Sequence, residues 1–200
     1  MSGFLVVSLD SMGSPTVRVP DTATVSRSEG AGWGFGWYPE DAASASVVKD
    51  SSSDGALEFA AVLSNWKSFN STSFLIKIRG ASKRYTPQST QPFVRSYAGR
   101  DWLFLHNGDL DRRALNELFE ATRANSFHPI GTTDSELAFG VLLARVKSAA
   151  MRTISDLPWE TWRAWFQELD QLGTADFAIS DGRHSIVYHG GSIDSALSFA

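Results

Sequence analysis

Short runs in which bulky residues alternate with small or polar ones recur along this chain and predict β-strands. In residues 33–38 three aromatic residues alternate with glycines, so one strand face is bulky and the other is bare. Residues 74–79 alternate in the same way, which places Lys77 and Arg79 on one face. The other predicted strands are residues 4–8, 45–49, 101–106, 176–180 and 184–188, the last two forming a hairpin.

Four longer segments carry apolar residues at helical spacing. In residues 157–172, Pro158 stands in the first turn and Gly173 follows the last turn, a placement typical of helix ends. The other three predicted helices are residues 57–69, 111–125 and 134–151.

The order of these elements predicts the fold class. Strands come first, then a helix, more strands, two helices close together, and a final pair of strands. Blocks of strands followed by a helical pair favour an α+β fold with antiparallel sheets over a doubly wound one. At 200 residues the chain fits a single domain, residues 1–200, with a core of ordinary size.

Composition narrows the possible functions. A net charge of −4 offers no electrostatic reason to expect nucleic acid as a partner, and no apolar run approaches the ~18 residues of a membrane span. The absence of cysteine excludes disulfides, thiolate metal sites and cysteine nucleophiles. The four histidines lack the spacing of a metal site, so we expect no metal and no cofactor. The first residues lack a basic signal region, so we expect a cytoplasmic protein.

Two motifs on predicted strands each allow two interpretations. The glycines of residues 32–38 either let a large group pack against one strand face or let a substrate approach the bare backbone. Arg79, at the end of its strand, is either a solvated surface residue or a guanidinium that binds a carboxylate through two hydrogen bonds.

Two further motifs are equally open on their own. His106-Asn107-Gly108 is either a hairpin turn or an oxyanion site, in which the Asn107 amide and the Gly108 N–H point at developing negative charge. Thr133 and Glu136 predict a capping box at a helix start, while the Asp134 carboxylate between them could bind a substrate ammonium.

Together and in this order, the motifs resemble the class II glutamine amidotransferases. The most similar branch is the small stand-alone one, which is similar to amidohydrolases that cleave γ-glutamyl amides. The resemblance extends from Met1 to about Tyr188. It is carried by Gly32-Trp33-Gly34-Phe35-Gly36-Trp37-Tyr38, Ile78-Arg79-Gly80-Ala81, Gln91-Pro92-Phe93, Gly99-Arg100-Asp101-Trp102, His106-Asn107-Gly108, Gly131-Thr132-Thr133-Asp134-Ser135-Glu136 and Phe177-Ala178-Ile179-Ser180-Asp181-Gly182.

The resemblance implies a fold and a set of roles. The fold is the αββα sandwich of antiparallel sheets found in N-terminal nucleophile hydrolases. Arg79 would bind the α-carboxylate of glutamine, and Asp134 its α-ammonium. Asn107 and Gly108 would form the oxyanion hole.

Four positions depart from the family pattern. Ser2 stands where the family has its nucleophilic cysteine, Ala31 where it has an acidic residue or asparagine, and Lys77 and Gln91 where it has histidines. Gln91 is nevertheless counted among the candidate substrate-binding residues. The family uses the α-amine of its first mature residue as general base. Because the residue at position 2 is small, we expect Met1 to be removed and Ser2 to be the mature terminus.

The C-terminal end departs as well. The family usually continues with further strands after the hairpin around Asp181-Gly182-Arg183, whereas this sequence stops at Ala200. Either the second sheet is shortened at its C-terminus or the sequence is a piece of something longer.

These features leave three hypotheses open. The chain is an enzyme that hydrolyses the side-chain amide of glutamine or a γ-glutamyl compound with Ser2 as the catalytic nucleophile, a binding module without turnover, or a scaffold that retained only the fold. An ammonia-accepting synthetase or a second copy of the chain is the expected macromolecular partner of the enzyme.

Overall fold

The computed structural model describes residues 2–14, 32–51, 69–79 and 86–191. Within these ranges the chain forms two antiparallel four-stranded sheets and three helices, which confirms the predicted α+β class. The strands are β1 (Gly3–Gly13), β2 (Gly32–Trp37), β3 (Ser46–Asp50), β4 (Ser71–Arg79), β5 (Phe93–Tyr97), β6 (Arg100–Leu110), β7 (Gly173–Ser180) and β8 (Ser185–His189). The helices are α1 (Arg112–Ala121), α2 (Asp134–Ser148) and α3 (Trp159–Asp170).

The first sheet has the strand order β1-β4-β2-β3. Strand β4 pairs with β1 on one side and β2 on the other, and most of its side chains are buried in the apolar clusters on the two faces of the sheet. The alternation that the sequence predicts is confirmed: Leu75 and Lys77 point toward the second sheet, and Phe74 and Ile76 point away from it.

The second sheet has the order β5-β6-β7-β8, and its strand β6 is longer than predicted. The hairpin interpretation of His106-Asn107-Gly108 is wrong, because β6 continues through these residues and pairs with β7 as far as Leu110. Gly108 is needed there. It has φ +151°, and a Cβ atom on it would lie 1.9 Å from the carbonyl oxygen of Thr174.

The strand β5 was not predicted, because its apolar residues are too few to alternate visibly. It is joined to β6 by a tight turn at Ala98 and Gly99, which have φ values of 53° and 80°. The three predicted helices of the second half are confirmed but are shorter at their ends than expected.

Two apolar layers hold the sandwich together. Residues of both sheets form a thin core between them, and the helices pack against the other face of the second sheet over a larger core. The helix α2 is buried on most of its surface because it lies between α1 and the second sheet. The inter-sheet core is made of Tyr38, Leu75, Leu103, Leu105 and Ala178.

The outer face of the first sheet carries a separate hydrophobic cluster of Trp33, Phe35, Phe74 and Ile76, against which Phe69 packs. The predicted helix 57–69 lies outside the described residues except for Phe69. In the ranges that the structure describes, none of the helices combines the length and the apolar character that crossing a membrane requires.

The glycines of β2 allow the two sheets to approach closely. A Cβ atom on Gly34 would lie 1.8 Å from the carbonyl oxygen of Gln91, so no other residue fits without displacing this backbone. The bare strand face is therefore filled by the Gln91-Pro92 segment, as the packing interpretation of the motif predicts. This contact holds Gln91 between strand β2 and His106 of strand β6, whose backbone N–H donates to the Gln91 side chain.

Candidate active site

The N-terminus of α2 meets strand β6 in a buried network of polar side chains. Gln91 accepts a hydrogen bond from the His106 backbone N–H (2.7 Å), and its amide nitrogen donates to Ser135 Oγ (3.3 Å). The His106 ring contacts Ser135 Oγ through Nδ1 (2.9 Å) and the Thr174 carbonyl through Nε2 (3.3 Å). Because a carbonyl only accepts, Nε2 carries the hydrogen and Nδ1 accepts from the serine hydroxyl.

Burial keeps His106 neutral. Burial and, to a lesser degree, the nearby cations Lys77 and Arg79 lower the pKa of His106 to about 4, while the Asp134 carboxylate and the hydrogen bond to the Thr174 carbonyl oppose them. Asp134 lies 3.9 Å from the His106 ring, and Lys77, two residues before Arg79 on β4, contacts Asn107, the residue after His106. Arg79 and Asp134 therefore lie at the same end of the sandwich. The sequence predicts a site that contains both.

The Asp134 carboxylate is held at the first residue of α2. Its Oδ2 accepts a hydrogen bond from the Leu110 backbone N–H (2.9 Å) and lies 3.9 Å from His106 Nδ1. The hydrogen bond to Leu110 fixes the position of the carboxylate. The side chain is still 16% exposed, so a small molecule can reach it. A negative charge at the N-terminus of a helix is also favoured by the helix dipole.

The loop before α2 is fixed by Glu136, and the predicted capping box is only half formed. Thr133 Oγ1 accepts from the Glu136 backbone N–H (3.2 Å), but the Glu136 carboxylate does not return the bond to Thr133. It accepts instead from the backbone N–H groups of Ile130 (2.8 Å) and Gly131 (2.7 Å) and pairs with Arg95. Glu136 thereby anchors the segment that presents Asp134.

Lys77 is the unexpected member of the site. Its side chain crosses the space between the sheets, and Nζ donates to Asn107 Oδ1 at 2.9 Å. The ammonium lies 5.7 Å from the ring centroid of Phe4, within the range of a cation–π contact. Burial and the charge of Arg79 lower the pKa of Lys77 to about 7, and Asp176 opposes them.

Ser2 lies at the edge of this region, immediately before β1. Gly3 pairs with Ile78, so Ser2 stands opposite the end of β4 that carries Arg79. Ser2 Oγ is 3.5 Å from the Ile78 carbonyl oxygen, a long contact, and the residue is exposed. The structure thus brings Ser2, Arg79, Asn107 and Asp134 to one end of the sandwich.

Gln91 is the candidate that the structure places apart from solvent. Its side chain is 0% exposed, and both of its polar atoms bond to residues of the network. It therefore supports His106 and Ser135 and has no exposed atom to offer a substrate. A direct contact between Gln91 and a ligand remains only a prediction from its motif.

Sequence reasoning missed the positive charge next to Asn107. The alternation of β4 puts Lys77 on the face shared by Leu75, and a lysine on a core-facing side is a signal that could have identified it. Its partner could not have been found in this way, because Asn107 lies on a different sheet. Asp176, opposite Asn107 in the strand pair β6–β7, was missed for the same reason.

Comparison with known proteins shows that the chain belongs to an established family. The family described as glutamine amidotransferases class-II matches residues 6–198. YafJ of Escherichia coli (strain K12), a candidate glutamine amidotransferase, is 28% identical over 160 residues, which are 78% of this chain and 59% of YafJ. A candidate glutamine amidotransferase of Haemophilus influenzae is 31% identical over 102 residues, which are 50% of this chain and 33% of that protein. The chain thus spans only part of the length of the curated relatives it matches.

Solved structures show the same fold. A predicted glutamine amidotransferase from Pseudomonas aeruginosa PA01 has a TM-score of 0.56 and 22% identity, covering 90% of this chain and 69% of its own. The glutamine phosphoribosylpyrophosphate amidotransferase of Bacillus subtilis has a TM-score of 0.59 and 16% identity, covering 94% and 36%. At these identities the likeness establishes the fold, the antiparallel sandwich of N-terminal nucleophile amidotransferases that the resemblance implies.

Proposed function

Because this chain belongs to the class II glutamine amidotransferases, we propose that it binds glutamine or a γ-glutamyl compound and hydrolyses the side-chain amide. The observation that carries the proposal is the grouping of a cation, an anion and an amide donor, Arg79, Asp134 and Asn107, at the end of the sandwich where Ser2 lies. Glutamine carries an α-carboxylate, an α-ammonium and a side-chain amide, and this set of groups complements all three.

In this proposal the two charged residues hold the amino acid. The guanidinium of Arg79 binds the α-carboxylate, for which its planar donors are well shaped. The Asp134 carboxylate binds the α-ammonium. Its oxygen atoms can accept further hydrogen bonds besides the one from the Leu110 backbone N–H. Binding both charged groups would hold the amide carbon in one orientation toward Asn107. This fixed orientation lowers the entropic cost of reaching the transition state.

The reaction itself would use Ser2. Its hydroxyl oxygen attacks the amide carbon, and the proton passes to its own α-amine, which must be exposed by removal of Met1. The Asn107 Nδ2 and the Gly108 N–H stabilise the tetrahedral oxyanion. The C–N bond then breaks as the amine returns the proton to the leaving nitrogen, and water hydrolyses the resulting ester to release the acid and regenerate Ser2.

A second candidate function is binding of the same amino acid without turnover. Two departures from the family pattern favour it. Ser2 stands in place of the nucleophilic cysteine, and the buried ammonium of Lys77 contacts Asn107, the residue proposed for the oxyanion hole. A hydroxyl is a weaker nucleophile than a thiol and depends wholly on its base. An ammonia-accepting synthetase, or a second copy of the chain, is the proposed macromolecular partner for the hydrolytic function.

One set of measurements tests both. Ammonia release from glutamine is measured for the wild type and Ser2→Ala, while calorimetry measures glutamine binding to the wild type, Arg79→Ala and Asp134→Asn. Arg113→Ala is the matched control, since this arginine is 91% exposed and pairs only with Glu117 among the described residues. We expect turnover that Ser2→Ala abolishes and binding that only the Arg79 and Asp134 variants lose.

The outcomes separate the two candidates. Binding without ammonia release supports the module, and equal rates in the wild type and Ser2→Ala remove Ser2 from the mechanism. Absence of glutamine binding contradicts both. Intact-mass measurement of the same sample shows whether Met1 has been removed, on which the proposed base depends.

A further inference from the structure

Lys77 is a buried cation whose one hydrogen-bond acceptor among the described residues is a neutral amide. The residue is 2% exposed, and its Nζ donates to Asn107 Oδ1 at 2.9 Å. An ammonium has three donor hydrogens, so two remain for other acceptors. Burying a charge without an opposite charge in contact is costly, and most proteins avoid it.

The carboxylates near Lys77 are engaged elsewhere. Asp176 acts on Lys77 only through its longer-range field, and its Oδ1 lies 2.6 Å from His189 Nδ1. Asp134 bonds to the Leu110 backbone. Among the described residues, no carboxylate forms an ion pair with Lys77, and Arg79 on the same strand face adds a second positive charge.

The orientation of Asn107 adds a second, independent argument. Its Oδ1 accepts from Lys77, so the edge of the amide left for a ligand is the Nδ2 donor. The Lys77–Asn107 pair therefore presents donors only, an ammonium and an NH2 group. A carboxylate has only acceptor atoms and therefore complements these two donor groups. A side-chain amide has an NH2 group, which would face other donors and form no hydrogen bond with them.

We propose that Lys77 and Asn107 form a subsite for a negatively charged oxygen, so that the site prefers an α-amino acid whose side chain ends in a carboxylate, such as glutamate, over glutamine. The inference rests on the proposed function for the grip of Arg79 and Asp134 on the amino-acid end. The inference goes beyond the proposed function in two ways: the preferred ligand is acidic, and Lys77 determines this preference. A hydrolase with this subsite would also release its acidic product slowly.

Calorimetry with glutamate and with glutamine tests the proposal on the full chain. We expect glutamate to bind the wild type more tightly at pH 6. Lys77→Met should weaken glutamate binding by about 10- to 100-fold, the range of a charge-assisted hydrogen bond, and leave glutamine binding within a few-fold. Lys77→Arg, which keeps the charge, should restore part of the preference. Lys147→Met, at an exposed lysine that donates to Ser126, is the matched control and should change neither affinity.

The pH dependence provides a readout that a merely structural role would not produce. Raising the pH from 6 to 8.5 deprotonates Lys77 and should weaken glutamate binding about 10-fold or more, with little effect on glutamine. The charged and titratable groups that face Lys77 are Arg79, Asp176 and His106, and His106 stays neutral throughout this range because of its low pKa.

The results that overturn the inference are distinct from those that overturn the proposed function. A wild type that binds glutamine at least as tightly as glutamate overturns this inference alone, as does a glutamate affinity that Lys77→Met leaves unchanged. If the wild type binds neither amino acid, both proposals are wrong. Circular dichroism of each variant verifies that it is folded before binding is compared.

Discussion

Replacing Lys77 with methionine should make the protein more stable. The substitution removes a buried ammonium and keeps an unbranched side chain of similar length between the two sheets. Replacing a buried charge with a well-packed apolar residue is often neutral or stabilising, whereas leaving the charge without a counter-ion is costly. The structure gives this general expectation a specific size.

The size follows from the pKa of Lys77, which falls from 10.5 to about 7 on folding. One pKa unit corresponds to about 1.4 kcal/mol, so at pH 7 the buried lysine costs the folded state about 4 kcal/mol. The methionine loses the hydrogen bond to Asn107, worth about 1 kcal/mol, and some packing quality, also about 1 kcal/mol. We therefore expect a net gain of about 2 kcal/mol in the free energy of unfolding.

The pH dependence has the same sign as that of a salt-bridged acid, because in both cases folding lowers the pKa of the group. Between pH 7 and 10.5 the unfolded chain keeps a proton on Lys77 that the folded chain has released, so the stability of the wild type rises with pH. Below pH 7 both states hold the proton, and the full cost is present. From pH 7 to 9 the wild type should gain about 2 kcal/mol from this residue, which Lys77→Met should not show.

Urea denaturation at pH 7 and at pH 9 measures both effects. Lys49, whose pKa burial also lowers, titrates in the same direction in both proteins, so the difference between them isolates Lys77. Lys147→Met is the surface control and should leave the stability unchanged. A Lys77→Met protein that is less stable than the wild type at pH 7, or one with the same pH slope, would refute the assignment of Lys77 as a costly buried cation.

Three further changes test the supports of the site. Glu136→Gln should cost about 3 kcal/mol in urea denaturation, because it weakens the contacts to Arg95 and two backbone N–H groups; unchanged stability, as expected for the exposed Glu117→Gln, would contradict this anchoring role. Gly34→Ala should give no soluble folded protein, since its Cβ would lie 1.8 Å from a backbone oxygen, whereas Gly3→Ala, with no atom within 4 Å, should express normally. Tyr38→Phe should lose about 1–2 kcal/mol, because the single hydroxyl hydrogen is shared between the carbonyl oxygens of Ser180 (2.9 Å) and Asp101 (3.2 Å), and a shift in the denaturation midpoint below error would count against this contact.

Local patterns predicted most elements correctly where a period was visible. The alternation in residues 74–79 and the helical spacing in residues 134–151 depend on the geometry of strands and helices themselves, so they can be read without knowledge of the fold. Residues 93–97 have no such pattern, and β5 forms because the neighbouring strand β6 supplies its partners. The end of β6 was missed because Asn-Gly is common in turns, while here the pairing with β7 extends the strand through it.

The candidate site divides in the same way. The sequence alone determined which residue types are present, the face of β4 on which Lys77 and Arg79 lie, and, through the order of its motifs, the family. Only the tertiary structure decided that Lys77 reaches Asn107, that Gln91 is enclosed, and that Asp134 lies 3.9 Å from the His106 ring. The physical reason is that a strand sets the direction of its own side chains, whereas the residue that each one meets depends on how two separate sheets pack and in which register.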